Sequence, residues 1–288
     1  MVKTGFGDKL LVFCIYVSLI LLSISVVFPL LYVVAVSITP FSEVLKNGGF
    51  IIIPKQITFD AYTAFLTSDR IPDAYKVTVF ITVVGTLVNL VLTALMAYPL
   101  SKKSLPGRNL LLLFVVFTLL FNGGLIPTYL IVKATGLINS VWAMIIPSAV
   151  SGFNLLIMKT FYENLPESLD EAARIDGAGE MRILFQIVLP LSMPIMATIG
   201  LFYAVGHWNE FFQAIMFIND SDKKPLQVVL RGILMRSQNI EELALEETLP
   251  SESLQMAAVI LTALPIIVVY PFIQKYFTQG VLLGSIKG

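Results

Sequence analysis

Six stretches of this chain run for about twenty residues or more with almost no charge, and nothing else in the sequence restricts the fold as much. They lie at about 10–38, 77–100, 109–132, 141–161, 194–218 and 255–277. A helix needs about 20 apolar residues to cross the hydrocarbon core of a bilayer. Each stretch is long enough. The first is too long for the core of a signal peptide and is followed by no clear small-residue cleavage site, so it reads as a retained span. The expectation is an all-α, polytopic membrane protein with six transmembrane helices in one integral domain, residues 1–288, with no internal repeat.

Composition agrees. Of 288 residues, 57% are hydrophobic and 13% charged, with a mean hydropathy of +0.85. Soluble domains carry about 25% charged residues. The 19 basic and 19 acidic residues cancel, and a nucleic-acid partner would require a basic excess. Cys14 is the only cysteine and sits in an apolar run. It cannot form an internal disulfide and reads as a buried thiol. With His207 the only histidine, a His/Cys metal site is excluded.

Six spans put both termini on one side. With the termini inside, ten Lys and Arg lie inside and nine outside, a total that decides nothing. Short loops carry the positive-inside signal. Ser101–Arg108, "SKKSLPGR", holds three basic residues and no acidic one, whereas the short loop 134–140 on the other face is uncharged. This favours N-in, C-in, with the long segments 39–76 and 219–254 outside and the loop at about 162–193 in the cytoplasm.

That loop contains Glu171–Glu180, "EAARIDGAGE", a dense polar cluster between oily runs. Pro166–Asp176 reads as a short helix. Ser168 and Glu171 have capping-box spacing, Pro166 suits the start, and Gly177 suits the stop. Leu169, Ala172 and Ala173 form a small, shallow face able to enter a groove that a bulkier helix could not. A second helix follows, with Met181, Leu184, Phe185 and Val188 on one stripe. Periodicity leaves two readings open: a solvated or interfacial helical turn, or a helix that docks on a cytoplasmic partner.

The run "EAARIDGAGEMRILFQIVLPL" resembles the EAA signature of bacterial ABC importer permeases through Glu171, Ala172, Ala173, Gly177, Ile187, Leu189 and Pro190. The Asp176-Gly177-Ala178 version resembles the carbohydrate branch, MalG-like and of the LplC/YtcP type of oligosaccharide permease. The resemblance extends through "AYPLSKKSLPGR", "FNGGLIPTYLIVKATGLINSVWAMIIPSAV" and "WNEFF", about residues 75–215. It implies a type I importer (MetI-like) fold in a bacterial cell membrane and import of a sugar, expected to be an oligosaccharide, acidic ones included. Leu169, Glu171, Ala172, Ala173, Asp176 and Gly177 would form the ATPase-coupling helix. The implied partners are a second, homologous permease chain forming a heterodimer, two copies of a cytoplasmic ABC ATPase using ATP and Mg, and an extracytoplasmic solute-binding protein. The chain has no Gly-x-x-x-x-Gly-Lys-[Ser/Thr] loop and no nucleophile–base constellation. It is therefore expected to bind no cofactor and to catalyse no reaction itself.

Polar groups at membrane depth are costly and invite a functional hypothesis. His207, Trp208, Asn209 and Glu210 lie midway along the fifth stretch. Amides and carboxylates answer sugar hydroxyls, and an indole stacks on a ring face. Lining a solute path and hydrogen bonding between helices both fit these residue types. Asn122, beside Gly123-Gly124, and Asn154, beside Ser151-Gly152, mark breaks in the third and fourth stretches and are further candidates. The segment 219–254, with Arg231 and Arg236, reads either as a docking site for the binding protein or as a solvated hairpin. Two other functions stay open: an ABC permease for a non-sugar solute, or an ATP-independent secondary transporter, for which Glu210 is the one clear buried carboxylate.

Overall fold

The structure is a computed structural model that describes residues 6–67, 70–238 and 252–285. The described residues contain helices and turns and no strand. In chain order the helices are α1 (Phe6–Ser37), α2 (Phe41–Lys46), α3 (Asp60–Thr67), α4 (Arg70–Ser101), α5 (Arg108–Leu120), α6 (Leu125–Ala134) and α7 (Gly152–Glu163). They continue with α8 (Glu167–Ile175), α9 (Glu180–Ile183), α10 (Leu189–Leu191), α11 (Met193–Trp208), α12 (Phe212–Phe217), α13 (Leu226–Gln238) and α14 (Glu252–Ser285). Short 3₁₀ turns occupy Val141–Met144 and Ile146–Ser148, and a π-helical turn occupies Leu184–Val188.

Among the described residues three helices, within α1, α4 and α14, are long and apolar enough to cross a membrane, and counting each of three bent pairs as one span brings the number to six. The chain bends by 116° between α5 and α6, by 51° before α7, and by 81° between Glu180–Leu191 and α11. Each bend has a local cause. Asn122-Gly123-Gly124 stops α5, and Gly124 adopts φ 89°. Pro147 and Ser151 precede α7. Pro190 has no N–H to offer the carbonyl of Gln186, next to the π turn, and the chain breaks at Ser192, φ −95° and ψ 8°, before Pro194 opens α11.

The chain forms two compact units. In the larger, α4 packs against α11 and α7. Its buried face is a stripe: Ala74, Thr78, Ile81, Gly85, Asn89, Thr93 and Ala97. In lipid there is little hydrophobic drive between helices, so small side chains and close packing hold them together. Gly85 receives the His207 ring, and a Cβ on Gly200 would lie 3.1 Å from Leu90. Tyr98, Leu155, Met158, Ile183, Leu184 and Ile199 complete the core. In the smaller unit Val36, Val44 and Ile51 form a cluster at the end of α1, and Ser253 Oγ donates to Thr39 O at 2.8 Å.

Two expectations are corrected. Cys14 is exposed, because α1 is exposed along this part of its length among the described residues. The capping box is not made: Pro166 is the N-cap and no side chain caps α8, which places Ser168 inside the first turn. The stop at Gly177 is present. Gly177 has φ 75°, Ala178 N donates to Ala173 O at 2.9 Å and Gly177 N to Arg174 O at 3.0 Å, the bond pattern of a Schellman end.

Candidate functional site

Two features of the larger unit combine polar chemistry with a defined position. The first is α8. Its charged side chains tie it to the end of α4. Lys102 pairs with Asp170 and its ammonium lies 4.7 Å from the centre of the Tyr98 ring. Tyr98 OH donates to Glu180 Oε2 at 2.7 Å, and Arg174 donates to Glu180 Oε1 at 2.6 Å. Arg108 pairs with Glu163, which also takes Lys159 at 2.7 Å. The Lys102–Asp170 and Arg108–Glu163 pairs are largely shielded. Breaking such a pair should cost more than the ~0–1 kcal/mol of an exposed one and less than the ~3–5 kcal/mol of a buried one.

The apolar residues of α8 divide. Ala173 is buried in the core cluster with Ala97, Tyr98 and Ile183. Leu169 and Ala172 are exposed, and Ile175 is 86% exposed. Glu171 and Asp176 also face outward. Sequence reasoning grouped Ala172 with Ala173. The structure separates them: one alanine seats the helix and the other is displayed.

The second feature is an open cavity of about 310 Å³ among α4, α7, α11 and the break after Trp208. Asn89, Asn154, Tyr203, His207, Glu210 and Gln213 line it. Asn89 Nδ2 lies 3.0 Å from His207 Nε2, so as placed the amide donates to the ring. Tyr203 OH accepts from Ser151 N at 3.0 Å and meets Thr93 Oγ1 at 2.8 Å. Glu210 Oε1 accepts Gln213 N at 2.9 Å, so the carboxylate caps α12 where the helix restarts. Asn89 Oδ1 and Gln213 Oε1 are buried without a hydrogen-bond partner. Buried polar oxygens seek a donor, and none is present for these two among the described residues.

Of the sequence candidates, the structure brings His207, Glu210 and Asn154 together at this cavity. Trp208 is turned away, its indole edge-on to Tyr75 at 6.2 Å. Asn209 is exposed, its amide donating back to Val205 O. Asn122 lines a different opening of about 550 Å³, which shares Gln213, and its Oδ1 accepts Gly124 N at 2.9 Å. Asn89, Tyr203 and Gln213 were not singled out from sequence. Asn89 was within reach, being an amide midway along the second apolar stretch. Arg231 is exposed on α13; residues 239–251 and the Arg236 side chain lie outside the described residues. Among the described residues no three His, Cys, Asp or Glu side chains could jointly hold a metal ion.

The comparisons with known proteins bear on both features. The chain is 45% identical to the polygalacturonan/rhamnogalacturonan transport system permease protein YtcP of Bacillus subtilis, across 98% of this chain and 99% of that one. It is 46% identical to the protein LplC of the same organism, across 91% of this chain and 90% of that one. Among solved structures, a chain of a bacterial ABC transporter involved in import of the acidic polysaccharide alginate superposes with a TM-score of 0.87. That match has 30% identity and covers 96% of this chain and all of the other. Residues 1–283 match the family described as binding-protein-dependent transport system inner membrane component, and the chain belongs to that family.

Proposed function

We propose that this chain is a permease subunit that imports an oligosaccharide, acidic sugars included, in an ATP-driven importer, with α8 as the joint to a separate ATPase. The single observation that carries this is the division of α8. One alanine and two charged side chains fix it to the core, while Leu169, Ala172 and Ile175 stay exposed. A surface helix made only for solvent has no need of an 86% exposed Ile175; a helix seated in a partner's groove does.

In this reading two copies of the ATPase bind and hydrolyse ATP with Mg, and their closure moves α8. The Lys102–Asp170 and Tyr98–Glu180–Arg174 contacts pass that movement to α4, and through the α4–α11 packing to the cavity. The termini and the 162–193 loop are cytoplasmic. A homologous permease chain completes the path, and a solute-binding protein loads it from outside. The chain itself has no catalytic role. The polymers named for the relative and for the structural match, polygalacturonan/rhamnogalacturonan and alginate, are acidic sugars, which supports the substrate class. The cavity supports it chemically: amides, a phenol and a carboxylate offer hydrogen bonds to hydroxyls, and Phe202 offers an apolar face.

The test is uptake by the complete importer in vesicles. The expected result is import of a uronate-containing oligosaccharide that stops when ATP or Mg is removed and persists when ion gradients are collapsed. Uptake driven by an ion gradient alone would assign the chain to secondary transport. ATP-driven uptake confined to a non-sugar solute would overturn the substrate class.

A further inference from the structure

The turn between α2 and α3 in the smaller unit carries an unusual surface. Over Leu45–Phe59 the chain reads "LKNGGFIIIPKQITF", and of its apolar residues Ile51 alone turns into the cluster with Val36 and Val44. Leu45, Phe50, Ile52, Ile53, Ile57 and Phe59 are exposed, Ile53 by 83%. Contiguous exposed apolar groups of this kind call for an occupant.

The contacts of the turn fix its depth. Tyr32 OH donates to Gly49 O at 2.8 Å, the Tyr32 ring stacks on Phe50 at 5.7 Å, and Phe28 lies 6.3 Å from Phe50. Tyr32 and Phe28 belong to α1, which ends at Ser37. At 1.5 Å rise per residue the turn therefore reaches back about 8–14 Å along the helix from its end. α1 has 32 residues, or about 48 Å, well beyond the ~30 Å hydrocarbon core. Asp8 and Lys9 hold its first turn at one interface. About twenty residues onward from Leu10 reach Pro29 and Leu30, so Phe28, Tyr32 and Phe50 fall at the other interface, where aromatic rings concentrate.

Part of the turn's backbone is paired within the protein. Gly49 N donates to Val44 O at 2.9 Å and Gly48 N to Leu45 O at 3.1 Å. The Glu43 carboxylate accepts Lys55 N at 3.0 Å and Gln56 N at 3.2 Å. Non-helical backbone near the hydrocarbon needs such internal partners. Lys46 and Lys55 are exposed beside the apolar residues, with stems long enough to reach phosphates.

We propose that the Leu45–Phe59 turn is a foot seated in the lipid interface at the C-terminal end of α1. Phe50, Ile53 and Ile57 enter among the headgroups and upper acyl chains, and Lys46 and Lys55 meet lipid phosphates. The proposal rests on α1 being a span, so the experiment checks the two separately. In the complete importer carrying Cys14→Ser, a nitrobenzoxadiazole dye is attached to a cysteine at Ile53→Cys, Leu19→Cys or Asp222→Cys. The importer is placed in phosphatidylcholine–phosphatidylglycerol vesicles. Leu19 is an exposed α1 residue and reports whether α1 lies in lipid. Asp222 is exposed in the 219–225 segment and serves as the aqueous reference. At position 53 the expected result is blue-shifted emission and quenching by a nitroxide near the head of the acyl chain several-fold stronger than at position 222. Iodide quenching equal to that at position 222 overturns the foot. Protection from both quenchers also overturns it, by assigning the surface to a protein partner. Quenching by lipid at position 19 in either case keeps α1 as a span.

Discussion

At the scale of single residues, the tightest constraint is Gly85. A Cβ there would stand 2.6 Å from His207 Nε2 and 2.8 Å from Cε1, inside contact distance. The ring cannot retreat freely, because Nε2 is bonded to Asn89. Gly85→Ala is therefore expected to part α4 from α11 or expel the imidazole, at an overpacking cost of about 1–3 kcal/mol. A lower thermal midpoint of the purified complex checks this, and a double variant with His207→Ala should recover most of the loss. In the sequence Gly85 is one glycine in an apolar stretch, and nothing local says what packs against it. Asn139 is a second such case. It adopts φ 63°, and its Oδ1 accepts Asn219 N at 3.1 Å and Asp220 N at 3.0 Å. It thereby ties the 134–140 loop to a segment eighty residues away. No local pattern encodes that bond.

At the scale of elements, α8 shows what periodicity can and cannot tell. Pro166, Gly177 and the charge density placed the helix within a residue at each end. Its orientation was another matter. Residues 172 and 173 differ by 100° around a helix, and which of them meets the core depends on Tyr98, far away in the chain, and on Ile183 in the next helix. The two alanines should respond differently. Ala172→Lys or Leu169→Asp is expected to leave the permease folded and reduce co-purification of the ATPase several-fold. Ala173→Asp places a charge in the core cluster and is expected to lower thermal stability by about 3 kcal/mol or more. Co-purification together with thermal unfolding of the permease separates the outcomes, and equal behaviour of the two positions would remove the distinction. The broken pairs α5–α6 and α9–α11 teach a related lesson. Gly-Gly and Pro residues announced irregularity in the apolar stretches and lie at the breaks, but the size of the bends, 116° and 81°, was not legible from them.

At the scale of the whole molecule, the larger unit links a surface helix to a polar cavity through α4. Lys102 and Tyr98 at one end of α4 hold α8, and Asn89, two turns and more toward the other end, lines the cavity. If that linkage transmits force, exchanging the Lys102–Asp170 charges should restore what either single change removes. Lys102→Asp and Asp170→Lys are each expected to lower ATP-driven uptake several-fold while the ATPase stays bound. The double variant should recover a large part of the rate. Recovery of stability without recovery of uptake would reduce the pair to a structural clasp. The same scale explains why the cavity was only partly legible. His207, Glu210 and Asn154 stood out as polar groups in oily runs. Trp208 and Asn209, from the same short motif, point elsewhere because the helix ends between them and turns.

The sequence by itself determined the class of solvent, the helices, the likeness to transport permeases and the sites where helices break. Those follow from run length, composition and residues with special backbone needs, all of which are local. The tertiary structure alone decided which side chains meet: Gly85 with His207, Ala173 with the core, Phe50 with Tyr32. In lipid, helices associate through close packing rather than hydrophobic drive, and close packing is a property of paired surfaces that neither strand of sequence carries alone.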